Sequence, residues 1–254
     1  MNKISVTIIS FNEGCNIARA LRSASSVTDD LIVVDSYSTD HTCEIAREFG
    51  AKVFQRKFIG YGDQKNFAAS QCTHDWIFSL DSDEELSPEL MTSLHNFCQD
   101  ENEPPHSLYK ICRRTSFRGK WIYHGGWYPD YIPRLYHKAK AGWTNHTVHE
   151  KLLSIDDSPS GHLEGHLDHY SFPTFKSQID TNSKYALLGA KALAKKGRPS
   201  LVKIFYKPIF KFFECYIIKK GFLDGLAGLI IALNASHSIY LKYAFAYFDL
   251  KIEK

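Results

Sequence analysis

Two aspartates separated by a single residue are the sequence feature with the clearest chemical potential. Asp81 and Asp83 directly follow the apolar run 76–80, which predicts a buried strand. Alternate residues of an extended segment point the same way, so both carboxylates can bind one hard cation, and that cation can bind a diphosphate. The same residues could instead form a solvated acidic turn before a helix that Ser87 caps. Their position immediately after a buried strand favours the metal site.

The first hundred residues alternate between strand and helix patterns, and this alternation must position the aspartates. The predicted strands are Ile4–Ser10, Asp30–Asp35, Ala51–Gln55 and Trp76–Leu80. The predicted helices span 12–24, 39–49 and 63–72, and a further helix starts at Ser87-Pro88. Continuous apolar strands separated by helices predict a parallel, doubly wound α/β sheet. Ligands of such sheets bind at the carboxyl ends of the strands, where three carboxylate-bearing segments lie: 10–13, 35–40 and 81–85.

The pattern changes after residue 100. Aromatic, histidine and turn residues dominate 101–172, which we expect to form irregular hairpins and the second wall of a cleft. A helical pattern returns over 173–195, and the rest of the chain predicts further helix, kinked or divided at Pro208. We therefore expect one domain over 1–172, built from the halves 1–100 and 101–172, and a helical extension over 173–254.

Composition excludes several classes of protein. The chain has 254 residues, of which 44% are hydrophobic, so it can bury a core and is not a disordered chain. The net charge of +3 indicates neither a nucleic-acid partner nor a membrane by itself. The six cysteines are scattered, which argues against a disulfide framework or a structural zinc site. No signal-peptide core and no run of roughly 20 apolar residues is present, so we expect a cytoplasmic protein that does not span a membrane.

Four segments carry a family resemblance. ISFNE, VVDSYSTDHT, QKN and LDSDEE, in this order and spacing, resemble the inverting family 2 glycosyltransferases of GT-A fold. GKWIYHGGWYPDYIPRLYH and TVHEKL are similar to a narrower group, the bacterial lipopolysaccharide core β-glucosyltransferases that act on inner-core heptose. The resemblance implies UDP-glucose or a related UDP-sugar as donor, a lipid-linked lipopolysaccharide core as acceptor, and Mg²⁺ or Mn²⁺ as cofactor.

The resemblance also implies roles for single residues. Asp35 would accept a hydrogen bond from uracil, although it could equally cap its strand, and Asp83 with Asp81 would serve the metal. The other residues implied at the nucleotide-sugar pocket are Phe11, Asn12, Glu13, Asp40, Lys65, Asn66, Ser82 and Arg134. An inverting transfer also needs a base for the acceptor hydroxyl, for which Glu150 is the candidate and Asp130 the runner-up. Three alternatives stay open: another UDP-sugar-dependent glycosyltransferase of cell-surface polysaccharide synthesis, a nucleotidyltransferase and a non-catalytic nucleotide-sugar-binding module.

Histidines cluster at 162, 166 and 169. The first spacing would suit a zinc pair on a helix, but the glycines at 161 and 165 argue against a regular helix, and H-E-x-x-H is absent. His169 is retained as a candidate for a metal or phosphate contact. His149, beside the candidate base, could orient Glu150 or contact the diphosphate.

The C-terminal segment is basic and aromatic. Residues 195–254 contain 11 Lys and Arg, 4 Asp and Glu, and 12 Phe and Tyr. Lys203, Lys207 and Lys211 recur every four residues, as on one face of a helix. Such a helix can lie on an anionic membrane surface, which would place the protein on the inner face of the inner membrane. Packing against its own domain and contact with a second copy in a homodimer are the alternatives; no nucleic-acid partner is expected.

Overall fold

One mixed β-sheet organises the structure. The computed structural model describes residues 2–144, 150–155 and 157–249. The strands are β1 Ile4–Ser10, β2 Asp30–Asp35, β3 Lys52–Gln55, β4 Trp76–Asp81, β5 Glu84–Leu86, β6 Leu108–Phe117, β7 Lys120–Ile122, β8 Asp130–His137, β9 Ala141–Trp143, β10 Leu152–Ser154 and β11 Gly161–Phe172. The helices are α1 Ile17–Ala24, α2 Thr42–Glu48, α3 Tyr61–Ser70, α4 Pro88–Gln99, α5 Phe175–Ala194, α6 Val202–Phe213 and α7 Leu226–Phe248.

The parallel part of the sheet brings the polar segments together. In the described residues the main sheet runs β3-β2-β1-β4-β8-β6-β11-β5, and β7 pairs with β6. β1 lies between β2 and β4, parallel to both, with Ser10 opposite Asp35 and Ile9 opposite Asp81. The β-branched runs of β1 and β2 are buried almost throughout, because helices cover both faces of a parallel sheet. The ends of β1, β2 and β4 therefore share one edge, as predicted.

The predicted α/β class with a helical C-terminal extension is confirmed, although several bounds differ. α1 begins at Ile17 rather than at residue 12. The backbone of Asn12 is left-handed (φ 55°), and the amides of Asn16 and Ile17 both donate to Glu13 O at 2.9 Å. A turn therefore precedes the helix. α4 begins as predicted, with Ser87 accepting from the Leu90 amide.

The expectation of irregular hairpins over 101–172 is confirmed in part, since β6 pairs antiparallel with β7 and with β8, and β9 with β10. The longer strands of this region, however, belong to the regular main sheet. β6 and β11, of 10 and 12 residues, are long strands of the main sheet, and β8 pairs antiparallel with β4. Apolar side chains of this region such as Ile111, Leu135 and Leu167 are fully buried in the main core. The glycines and prolines that suggested irregular structure lie largely in the turns between these strands. β9 and β10 form a separate two-stranded sheet.

The chain divides into two compact units. One comprises Met1–Arg113 with Asp130–His169, and the other comprises Arg114–Pro129 with Tyr170–Lys254. Residues 114–129 thus pack with the C-terminal helices, so the second unit contains more than the predicted extension over 173–254. The functional roles predicted for 1–172 and 173–254 stay predictions.

The second unit is built on three helices. Thr174 caps α5 in a capping box with Ser177. α6 continues through Pro208, so the expected division at that proline does not occur, and Ser236 of α7 donates to the Pro208 carbonyl at 2.8 Å. A π-helical turn (Glu214–Ile218) and a 3₁₀ turn (Gly221–Asp224) connect α6 to α7. Among the described residues, every helix is too short or too polar to cross a bilayer.

Candidate active site

The turn after β1 is held by the loop that follows β2. The Asn12 amide donates to Ser38 Oγ at 2.8 Å, and the Asn12 side chain accepts from the Thr39 amide at 2.9 Å. The Glu13 amide donates to Thr42 Oγ1 at 2.8 Å. Three contacts thus join two of the predicted nucleotide-binding segments at the carboxyl edge of the sheet. Phe11, in the same turn, is 58% exposed and so is accessible to a ligand.

Two aspartates anchor this loop. Asp35 is fully buried and accepts from Ser10 Oγ at 3.1 Å and from the Ser38 amide at 2.7 Å. Asp40 accepts from the Gly14 amide at 2.9 Å and from the Thr42 side chain. The Thr42 side chain, and then the Gly14 amide, lower the pKa of Asp40. Both carboxylates therefore have protein donors, and their predicted contacts with the nucleotide stay predictions.

Asp81, whose side chain is 31% exposed, lies at the centre of a charge network with buried partners. Its Oδ1 is 3.0 Å from Lys65 Nζ, and its Oδ2 is 2.5 Å from Arg134 Nη2. Burial alone would raise the pKa of Asp81, but the charges of Arg134 and Lys65 lower it well below its usual range. The Arg134 and Lys65 side chains are only 5% and 6% exposed. Lys65 is thus a buried partner of Asp81 and not a solvated lysine on the surface of a helix.

Glu84 and Arg113 belong to the same network and were missed by sequence reasoning. Glu84 is fully buried, its Oε1 lies 2.7 Å from Arg134 Nη2, and its Oε2 accepts from the Asp81 amide at 3.1 Å. Arg113 lies 3.7 Å from Glu84 and donates twice to Asp130 Oδ2, at 2.7 and 3.0 Å. The sequence gives a weak indication that Glu84 belongs to the site, since it is part of the LDSDEE motif. The sequence around Arg113 gives no such indication.

Asp83 lies in a different environment from Asp81. Asp83 Oδ2 is 3.2 Å from His169 Nε2, and the two side chains are 30% and 15% exposed. β11 pairs antiparallel with β5, with His169 opposite Glu84, and this register brings the histidine to the acidic segment. Burial raises the pKa of Glu13, and the negative charges of Asp83 and Asp40 raise it further. Glu13, Asp83 and His169 therefore lie around one negatively charged, partly accessible region.

The donor atoms of this region fit a divalent cation. Bonds of about 2.1 Å at right angles place two ligand atoms about 3.0 Å apart, close to the separation of Asp83 Oδ2 and His169 Nε2. The carboxylate oxygen suits either Mg²⁺ or Mn²⁺, and the imidazole nitrogen favours Mn²⁺, the softer of the two. Among the described residues no cluster of three or more His, Cys, Asp and Glu forms a complete metal site, so a cation here would need further ligands from substrate or water.

The remaining predicted residues lie around α3 and β9. Asn66 exchanges two hydrogen bonds with the Trp143 backbone, at 2.8 and 3.0 Å, and Lys65 Nζ lies 4.3 Å from the centre of the Trp143 ring. Glu150 is partly buried; a Cβ at Gly62 would lie 3.4 Å from the Glu150 Cβ. Ser82 is 8% exposed. The candidate base thus lies against the first turn of α3, while His149 falls outside the described residues.

Comparison with known proteins identifies the family. Residues 5–153 match the model for Glycosyl transferase family 2. The chain belongs to this family. It is 32% identical to an uncharacterized glycosyltransferase of Rickettsia prowazekii over 252 residues, covering 96% of this chain and 86% of that protein. It is 25% identical to the lipopolysaccharide core biosynthesis glycosyltransferase LpsC of Rhizobium meliloti over 264 residues, covering 95% and 93%.

Two solved structures are similar to part of this chain. Glucosyl-3-phosphoglycerate synthase of Mycobacterium tuberculosis, in complex with Mn²⁺, UDP and glucosyl-3-phosphoglycerate, is 24% identical with a TM-score of 0.35, covering 46% of this chain and 45% of that one. Mannosyl-3-phosphoglycerate synthase of Rubrobacter xylanophilus is 22% identical with a TM-score of 0.39, covering 45% and 41%. The predicted membership in family 2 is confirmed by the family match, and the chain is a glycosyltransferase of GT-A class.

Proposed function

We propose that this glycosyltransferase is a metal-dependent, inverting hexosyltransferase that moves glucose from UDP-glucose onto a lipopolysaccharide inner-core acceptor. The observation that carries the proposal is the Asp83–His169 pair, beside the buried Asp81 network at the edge where the β1 and β2 loops meet. The acceptor class is supported by the similarity to LpsC, which covers 95% of this chain. The Mn²⁺ and UDP in the solved structure of the Mycobacterium tuberculosis synthase are consistent with the donor and the metal.

Each part of the site has a chemical task in this proposal. The turn with Phe11, Asn12 and Glu13, together with the loop from Asp35 to Asp40, binds the nucleotide. Asp83 and His169 would hold Mg²⁺ or Mn²⁺, which when bound stabilises negative charge on the departing diphosphate. The network of Lys65, Arg134 and Glu84 keeps Asp81 ionised and in one orientation toward the ribose and the transferred sugar.

The base that deprotonates the acceptor hydroxyl is a carboxylate of the first unit. Glu150 is our candidate, because it is partly buried and lies against the first turn of α3. Asp130 is the runner-up, and its Oδ2 is engaged by Arg113. An inverting transfer requires this base on the face of the sugar opposite the leaving diphosphate.

The decisive experiment measures hydrolysis and transfer from a panel of UDP-sugars, with and without Mn²⁺. We expect metal-dependent turnover that is fastest with UDP-glucose and falls at least roughly 100-fold in Asp83→Ala. The matched control is Asp75→Ala, which removes an aspartate that is 69% exposed and lies outside the site. Equal turnover by Asp83→Ala and the wild type would refute the metal assignment. Binding of UDP-sugar without any turnover would indicate a non-catalytic binding module instead.

A second pair of variants tests the base. We expect Glu150→Gln to bind UDP normally and to lose at least roughly 100-fold in transfer, because a glutamine cannot accept the proton. Asp130→Asn should lose less. If transfer fell more in Asp130→Asn than in Glu150→Gln, the base would be Asp130 instead.

The proposal also places the enzyme at a membrane. A lipid-linked acceptor requires access to the cytoplasmic side of the inner membrane, and we propose peripheral attachment there through the basic C-terminal extension, with residues 1–172 performing catalysis. Contact between two copies in a homodimer is the alternative role for that extension. Fractionation of cells, with the enzyme recovered from washed membranes or from the supernatant, distinguishes these locations.

A further inference from the structure

The solvent-facing side of α6 is apolar. Seven large hydrophobic side chains recur there at intervals of one, three or four residues and continue into the π-helical turn. We call this set the α6 face: Val202, Phe205, Tyr206, Ile209, Phe210, Phe213 and Ile217, each 45 to 65% exposed. Four further exposed apolar residues lie in the connection after α6 and at the start of α7: Ile218, Phe222, Leu223 and Leu226. A contiguous exposed patch of this composition marks an interaction surface.

The buried side of α6 is a different set of residues. Ile204 and Cys215 are 3% and 4% exposed, and Pro208 is buried with its carbonyl bonded to Ser236 of α7. This side therefore already supplies the packing of α6 within its own unit. The α6 face is additional apolar surface, which excludes the alternative in which the helix hides its apolar residues and exposes only lysines.

Lysines border the α6 face. Lys203, Lys207 and Lys211 lie one residue after members of the face, at four-residue spacing, and Lys219 and Lys220 follow. Between 201 and 223 there are five lysines and one acidic residue, Glu214. Glu214 is held by Lys211 at 3.0 Å and Lys219 at 2.6 Å. The surface thus combines exposed aromatic side chains with a net positive border.

We propose that the α6 face docks onto an anionic lipid surface, with its aromatic and aliphatic side chains in the headgroup region and its lysines on the lipid phosphates. This inference names the surface and the partner for the membrane location proposed above. Charge complementarity decides for lipid, because a second copy would present the same excess of lysine, whereas anionic headgroups supply the missing negative charge. Phe and Tyr at such positions are typical of helices that lie in the interface plane.

The test is sedimentation of full-length protein with vesicles. We expect binding to vesicles containing one-third phosphatidylglycerol, weak binding to pure phosphatidylcholine, and a decrease at 0.5 M NaCl. The variant Phe205→Ser/Ile209→Ser/Phe213→Ser should bind roughly tenfold more weakly or worse, because three apolar side chains no longer enter the lipid. Its control is Tyr185→Ser/Leu187→Ser on α5, where the residues are 60% and 39% exposed.

A charge reversal tests the lysine border separately. Lys203→Glu/Lys207→Glu/Lys211→Glu should abolish binding to anionic vesicles. The control triple, of equal charge change, is Lys184→Glu/Lys191→Glu/Lys195→Glu, whose lysines are exposed on α5 and at its C-cap.

Two results would overturn the inference. One is equal vesicle binding by the α6-face variants and their controls. The other is a wild-type dimer that the Phe205/Ile209/Phe213 variant converts to monomer while vesicle binding is unchanged, which would assign the face to a second copy. Hydrolysis of UDP-sugar without vesicles is measured in parallel. If the wild type did not hydrolyse UDP-sugar, that result would count against the proposed activity only, since vesicle binding is measured without substrate.

Discussion

Arg134 is the residue whose removal should damage the folded state most. Its guanidinium lies between the fully buried Glu84 and Asp81, whose side chain is 31% exposed. It is 2.5 Å from Asp81 Oδ2 and 2.7 Å from Glu84 Oε1. Burial alone would lower the pKa of Arg134, but Asp81 and Glu84 raise it overall, so the cation is held by both partners. Arg134→Met keeps most of the apolar volume. Among the described cations it leaves Lys65 beside Asp81 and the more distant Arg113 beside Glu84.

The size of the effect follows from burial. Removing one partner of a buried ion pair typically costs about 3–5 kcal/mol, because the other charge is left without compensation. For a chain of this size that corresponds to a fall in melting temperature of roughly 6–20 °C. Lys65→Met should cost less, since Asp81 keeps its contact with Arg134. Lys3→Met, which removes an ion pair whose side chains are 68% and 67% exposed, should have no measurable effect.

Urea unfolding of the three variants, followed by tryptophan fluorescence from pH 3 to pH 8, measures these differences. The folded-state pKa of Asp81 is lowered from 3.8, so its ion pairs stabilise the protein above that value and the stabilisation is lost as pH falls. The gap between wild type and Arg134→Met should therefore narrow below about pH 4. A loss no larger than that of Lys3→Met at pH 7, or a gap that widens in acid, would refute the network as described.

Three further outcomes are expected from single substitutions. Glu13→Gln should raise the free energy of unfolding at pH 7 but not at pH 3, because the folded-state pKa of Glu13 is raised from 4.5 and its ionised form is disfavoured in the folded protein. Gly62→Ala should lower thermal stability sharply, since its Cβ would lie 2.0 Å from the Thr144 carbonyl oxygen. Ser87→Ala should cost about 1–2 kcal/mol in urea unfolding, because the Leu90 amide loses its helix cap. A variant as stable as the wild type would contradict the raised pKa of Glu13, the close approach of Thr144 to Gly62, or the cap at Ser87, respectively.

The polar segments that follow β1, β2 and β4 could be predicted from the sequence. β1, β2 and β4 are continuous apolar runs, and each is followed within a few residues by the polar residues of the site. A parallel sheet places such strand ends at one edge whatever the details of the helices. The hydrogen bonds from the Asn12 turn to Ser38 and Thr39 show how closely two of these segments meet.

The charge network could not be predicted in the same way. Lys65, Glu84, Arg113 and Arg134 lie on four different elements, and their contacts depend on the order in which β8 and β6 join the sheet. Sequence spacing carries no information on that order for antiparallel strands far apart in the chain. An isolated Lys or Arg in the sequence is most often a solvated residue, so the burial of Lys65 and Arg134 beside Asp81 and Glu84 appears only in the structure.

The orientation of α6 also could not be predicted from the pattern of its residues. An amphipathic pattern assumes that the apolar side faces the protein and the lysines face water. In α6 apolar residues occupy both sides, since Ile204 and Pro208 face α7 while Phe205 and Ile209 face outward. The lysine spacing alone is compatible with either arrangement. Because packing on α7 uses only one of the two apolar sides, the outward side stays exposed, and the lysines beside it support the anionic lipid partner that we propose.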